Sequence, residues 1–146
     1  MAASDAYASD GAAGFVVGVP RGTFPSAPTD EIVFISAVEA RAVANASVKR
    51  RLGSAGPLGV GVAVVDGRVI GYVDVSPAAE HDGPCIVAVV EQRGEIALFG
   101  ARVIGSGRFA TALAGRGVEY GGATVPTVQI AQLSARVEEL AGGKGS

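Results

Sequence analysis

The segment Gly59–Val75, GVGVAVVDGRVIGYVDV, constrains the fold more than any other part of the chain. Two β-branched runs, Val62–Val65 and Val69–Val75, flank Asp66-Gly67. Asp-Gly between such runs predicts a two-residue hairpin, because a type I′ turn needs positive φ at both central positions and these residues reach it at low steric cost. A chain centred on this hairpin belongs with folds built of antiparallel strands. Glycine supplies 22 of 146 residues, valine is frequent, and Glu, Lys and Leu are comparatively sparse, which suits short strands joined by glycine turns. An all-β barrel or sandwich is the expected class. With 49% hydrophobic residues, the chain suits one domain, or two small sub-barrels sharing a core.

Around that hairpin the sequence predicts further strands. Residues 1–14 are small and polar and read as a disordered tail, and 141–146 as a flexible end. Phe15–Val19 and Glu31–Ser36 read as paired strands, joined by a loop that Pro20, Pro25 and Pro28 enforce. Ser36 with Glu39 has capping-box spacing, and Val38, Ala42 and Val43 suggest a helical turn before Gly53. Lys49, Arg50 and Arg51 form the basic cluster, read as a solvated loop. A hairpin is expected from Cys85–Val90 to Glu95–Val103, where the tetrapeptide VAVV of the central hairpin recurs. Ile104–Gly117 reads as a loop with one helical turn, and Val118–Ile130 as a last hairpin through Gly121-Gly122, with Pro126 at an edge or bulge. Ile130, Leu133, Val137 and Leu140 form an apolar stripe on a short C-terminal helix, Ala131–Leu140, packed across a barrel end.

The same reading disfavours several function classes. Charged residues are 18% and the net charge is −2, so no basic field attracts nucleic acid or an anionic membrane. No apolar run is long enough to insert in a bilayer, and the opening lacks the basic start and apolar stretch of a secretory signal, so a cytoplasmic protein is expected. His81 lies in the polar loop SPAAEHDGP, where solvation is its expected state, and a lone histidine cannot build a multi-histidine metal site. Cys85 heads the apolar run CIVAVV and reads as a buried reduced thiol rather than a nucleophile. Gly105-Ser106-Gly107 lacks the rest of a phosphate-binding loop and reads as a turn. Glu138 and Glu139 read as solvated charge. No catalytic residue, cofactor or metal is expected, and an enzyme is disfavoured.

Several patterns resemble the CheW-like domain, the adaptor module of bacterial chemosensory systems. In that family a strand leads into a G-V-x-N-L-R-G turn and then V-x-P-V-x-D-L. Here Gly61-Val62-Ala63-Val64-Val65-Asp66-Gly67 precedes Val69-Ile70-Gly71-Tyr72-Val73-Asp74-Val75, with the glycines, valines and Asp74 in register. EIVFISAVEARAV (Glu31–Val43) resembles the family's strand and V-x-E-V turn, IVAVVEQRGEIALFGARV its later hairpin, and VPTVQIAQL (Val125–Leu133) its closing segment. The family's Asn and Arg before the turn glycine are Val64 and Asp66 here, its Pro is Gly71, and its later Asp residues are Ala101 and Gln129.

The resemblance covers residues 15–140 and implies two small SH3-like five-stranded β-barrels sharing a core. It also implies a non-enzymatic adaptor that links chemoreceptors or another sensor to a histidine kinase regulatory domain through protein–protein contacts. Asp66 reverses the charge of the family's docking arginine, so the partner surface is expected to be altered. The expected partner-binding residues are Val65, Asp66, Gly67, Arg68, Tyr72 and Phe99, with Tyr72 and Phe99 equally open to a reading as core residues. The alternative is a self-associating or small-ligand-binding β-barrel, with a pocket lined by Phe34, Tyr72 and Phe99.

Overall fold

The computed structural model describes residues 11–76, 84–91, 93–112 and 117–137. Along them run eleven strands: β1 (Gly11–Gly18), β2 (Ile32–Ser36), β3 (Ala40–Ala44), β4 (Ala46–Ala55), β5 (Leu58–Val65), β6 (Arg68–Asp74), β7 (Cys85–Val90), β8 (Gly94–Phe99), β9 (Arg102–Ala110), β10 (Gly117–Tyr120) and β11 (Ala123–Val128). A short helix, α1 (131–137), follows. The protein is therefore mainly β, as its glycine and valine content predicts. No helix among the described residues is long and apolar enough to cross a membrane.

The strands make two sheets, one ordered β10-β11-β2-β1-β9 and the other β3-β7-β8-β6-β5-β4. β2 with β11 and β6 with β8 are the parallel pairs; the other ladders are antiparallel. The six-stranded sheet curls into a half-barrel, and its two edge strands are consecutive in sequence, separated by Asn45 alone. The edges of the five-stranded sheet also approach each other. Thr111 bridges Val118 between the ends of β9 and β10, and the Tyr120 hydroxyl donates to the Ile104 carbonyl at 3.4 Å.

Burial on both faces explains why runs such as CIVAVV show no polar alternation. Ile86, Ala88 and Val90 of β7 point into a central core shared with Val17, Val33, Ile35, Val73, Leu98 and Leu133. Cys85 and Val87 point the other way, into the half-barrel with Ala63, Val65, Ile70, Tyr72, Ala97 and Phe99. The five-stranded sheet divides similarly. Val17 and Ile35 join the central core, while Val16 and Phe34 pack with Val118, Val125 and Phe109 on the opposite face.

The proline-rich loop between β1 and β2 is predicted correctly as a loop, yet it is also part of the core, since Phe24 and Ala27 are buried there. Gly121 and Gly122 turn the last hairpin at φ 60° and 81°, and the β1–β2 and β10–β11 pairings are as expected. Other expectations are corrected. Gly11–Gly14 belong to β1 rather than to a tail, paired with Gly107–Ala110 of β9. A single hydrogen-bonded turn follows Ser36, whose carbonyl accepts the Glu39 amide at 3.0 Å and whose hydroxyl accepts the Val38 amide at 3.1 Å. It does not continue as helix: Val38 and Val43 are exposed, so their helical spacing has no core to face, and the chain forms β3 and β4. The Lys49–Arg51 cluster is therefore strand, not loop. Glu95–Val103 is two strands, because Gly100 at φ 85° turns the chain from one sheet to the other. Ile104–Ala110 continues as β9, including Gly105-Ser106-Gly107. Pro126 lies on an internal strand, but the β2 ladder begins one residue later at Thr127, so no donor is needed from the proline on that side. The expectations for residues 1–10 and 141–146, and for His81, Glu138, Glu139 and Leu140, fall outside the described residues.

The supposed capping box has a different use. Glu39 reaches across the molecule and accepts hydrogen bonds from the Ile130 and Ala131 amides at 2.7 and 3.1 Å, satisfying donors at the start of α1. Leu133 is thereby held in the central core. Glu39→Ala is expected to lower stability by about 1–2 kcal/mol, with a smaller loss for Glu39→Gln, which keeps one acceptor. Equal losses in denaturant titrations of the two variants would contradict this capping role.

Candidate functional site

The central hairpin projects its tip from the half-barrel. Asp66 and Gly67 hold φ values of 51° and 76°, as a type I′ turn requires, and Val65 pairs with Arg68 across it. Asp66, Gly67 and Arg68 are exposed. Arg68 Nη1 forms an ion pair with Glu95 Oε1 on β8, so the loop's cation and a neighbouring strand's anion define one patch. That hydrogen bond, with the charge of Glu95, raises the Arg68 pKa above its ordinary value and keeps the guanidinium charged. Beside the tip, Val69 is 70% exposed and pairs with Val64, which in turn pairs with the exposed Val48. This row continues the apolar face that Val73 and Leu98 bury in the central core, but nothing among the described residues covers it at the hairpin end.

The six predicted contact residues do not form one surface. Val65, Tyr72 and Phe99 are buried inside the half-barrel, because their positions alternate with the outward-facing residues of β5, β6 and β8. The Tyr72 and Phe99 rings meet edge to face, with centroids 5.1 Å apart and planes at 73°. Phe34 packs in the separate cluster behind the five-stranded sheet, so a pocket lined jointly by Phe34, Tyr72 and Phe99 does not form.

Lys49, read from sequence as part of a solvated loop, is turned inward. Its Nζ lies 2.9 Å from Asp74 Oδ2, 4.2 Å from the Phe99 ring centroid and 5.2 Å from that of Tyr72. The carboxylate and the ring faces together compensate a cation withdrawn from water. The other Asp74 oxygen, Oδ1, accepts the Ser76 amide at 2.9 Å, so one buried carboxylate ties β4, β6 and the following turn. No local pattern in ASVKRRL marks Lys49 as the inward residue. The pairing of Lys49 with Ala63 decides it, since Ala63 also faces the half-barrel interior.

Cys85 is buried, and desolvation raises its thiol pKa. Above the unfolded thiol's pKa, the unfolded chain loses this proton while the folded chain keeps it, so the contribution present at lower pH is lost as pH rises. The native protein is expected to resist alkylation by iodoacetamide at mildly alkaline pH and to react once unfolded. Rapid stoichiometric labelling of the native chain would contradict that. Next to Cys85 lies a cavity of about 420 Å³ walled by Val43, Ile86, Ala101 and Val103.

Among the described residues no group of three or more His, Cys, Asp or Glu side chains could hold a metal ion. The arrangement offers a presented hairpin tip, an apolar row beside it and an internally neutralised Lys49–Asp74 pair. Comparison with protein-family models, curated proteins and solved structures found no match for the chain.

Proposed function

We propose that the chain is a non-enzymatic signalling adaptor of CheW-like architecture, built from two small SH3-like five-stranded β-barrels that share a core. In this reading β3 and β4 act as one strand bent at Asn45, closing a barrel with β5, β6, β8 and β7, while the β9–β10 approach closes the other. The observation that carries the reading is the three-part core, in which alternate residues of β1, β2, β7 and β8 face either a shared centre or one of two flanking interiors. Cores of that kind leave a protein to act through its outer surfaces. The presented surface is the Asp66–Val69 tip with Val64 and Val48, an apolar strip beside a charged rim, which is the anatomy of a protein–protein contact. The partner is the regulatory domain of a chemosensory histidine kinase, or a receptor of the same system, met through a surface whose charge Asp66 has altered.

The test is a calorimetric titration of the chain against such a kinase regulatory domain, with Asp66→Asn and Val69→Glu alongside. Asn tolerates the positive φ of the turn, so Asp66→Asn removes the charge while preserving the hairpin. Saturable binding, weakened about tenfold or more by Val69→Glu, is expected. Absence of binding to the kinase domain and to the receptor's cytoplasmic tip would contradict the adaptor reading. The cavity beside Cys85 favours a second reading, a small-ligand module, for which an apolar metabolite would raise the melting temperature.

A further inference from the structure

A cavity of about 620 Å³ takes its walls from both sheets, with Ser36 and Thr127 from the five-stranded one and Arg41 and Val89 from the six-stranded one. Its volume is within the range of about 300–1,000 Å³ usual for small-molecule sites. The apolar wall includes Val38, 77% exposed in the turn before β3, and the half-buried Val89. The charged wall comes from Glu39, Arg41 and Glu91. Both Glu39 oxygens already accept the Ile130 and Ala131 amides. Arg41 and Glu91 differ from it: both are exposed, they form no ion pair with each other, and neither side chain bonds to another described residue. The place of Arg41 comes from the β3–β7 ladder, which runs Ala40↔Ala88 and then Ala42↔Val87. On a regular ladder Arg41 would oppose Val87 and face the half-barrel interior. The extra residue gives that position to Ala42 and leaves Arg41 on the cavity wall, the re-aiming of a side chain that a bulge allows.

These features select among occupants. A metal ion would find no group of three or more His, Cys, Asp or Glu ligands among the described residues. A phosphate or other multivalent anion would meet one arginine beside two carboxylates, which repel it. A wholly apolar molecule would take water from Arg41 and Glu91 and give them no partner in return. A molecule carrying both charges satisfies both side chains. We propose that this cavity binds a small zwitterion with an aliphatic body, a free α-amino acid or a short peptide with unblocked ends. Its carboxylate pairs with the Arg41 guanidinium, whose planar fork matches a carboxylate, and its ammonium pairs with Glu91. Its aliphatic side chain lies on Val38 and Val89. The Gln129 side-chain amide, also on the wall, can donate to the carboxylate or accept from the ammonium. This goes beyond the adaptor reading and stands or falls apart from it, since neither the Asp66–Val69 tip nor the Cys85 cavity takes part.

The test uses the full isotope-labelled chain, followed by backbone amide shifts, with leucine and the dipeptide leucyl-leucine as probes. Saturable shifts centred on Arg41, Val89 and Glu91 are expected from at least one of them, and the tighter of the two distinguishes a free amino acid from a peptide. Acetylating the amine of the binding probe removes its cation, and amidating its carboxyl removes its anion. Either change should weaken binding about tenfold or more. Arg41→Ala and Glu91→Ala should each weaken the unblocked probe by a similar factor, whereas Glu91→Ala should leave the acetylated probe unaffected. No saturable shift with either zwitterion, equal binding by a singly blocked probe, or indifference to both substitutions would overturn the proposal. The blocked probes need no variant, so the test holds even where a substitution disturbs folding.

Discussion

Asp74→Ala is expected to destabilise the protein by about 3 kcal/mol, the lower end of the range for breaking a buried ion pair by removing one partner. The loss has two parts. Lys49, with its side chain only 22% exposed, is left without its carboxylate, and the Ser76 amide loses its acceptor. Asp74→Asn keeps an acceptor for Ser76, so it separates the charge from the hydrogen bond. The double variant Lys49→Met, Asp74→Asn should recover most of the stability, because methionine fills the space against Tyr72 and Phe99 and no uncompensated charge remains. Denaturant titrations of the wild type, Lys49→Met, Asp74→Asn and the double variant form a double-mutant cycle. Additive losses would show that the contact contributes nothing beyond its separate parts.

Phe34→Ala is expected to cost about 3–5 kcal/mol, the usual range for emptying a core aromatic site. Phe34 is 1% exposed, and its ring meets Phe109 edge to face at 5.9 Å between centroids. Phe109 in turn packs on Tyr120 at 5.8 Å, so one side chain anchors β2 to both β9 and β10. Phe34→Leu keeps most of the apolar volume and should lose about 1.5 kcal/mol or less. A loss below about 1 kcal/mol for the alanine variant would mean that this cluster collapses freely and is not an independent core.

The parts of the fold legible in the sequence are those determined by neighbours in the chain. Asp66-Gly67 and Gly121-Gly122 specify their turns within two residues, and the prolines of the β1–β2 loop exclude a strand without reference to anything distant. The segments misread as helical or irregular depend on remote partners. Ala40–Ala55 carries a plausible helical stripe, and its strands form through the neighbours β7 and β5. The glycines of β9 resemble a loop, yet Gly105 sits against Tyr120, where an added Cβ would lie 3.0 Å from the ring. A side chain there would have to displace the Tyr120 ring by a few tenths of an ångström, so glycine suits the strand at a place where a local reading takes it as a turn signal.

The site divides along the same line. The exposed turn Asp66-Gly67-Arg68 follows from the hairpin itself. Whether Tyr72 and Phe99 face solvent or interior depends on sheet curvature and on which alternate residues the half-barrel encloses, and the one-dimensional pattern is apolar on both faces. The Lys49–Asp74 contact spans 25 residues and requires the registers of two ladders at once. The cap that Glu39 provides for Ile130 spans 91 residues, and its sequence signature suggests a local helix instead.

The most direct measurement of the adaptor account is amide hydrogen exchange of the chain, free and saturated with the kinase regulatory domain. The account predicts new protection at Asp66–Val69 and the adjoining outer face of β5, with β7 and the buried end of β8, Ala97–Phe99, unchanged. Unaltered exchange throughout, or protection confined to the Cys85 cavity, would contradict it.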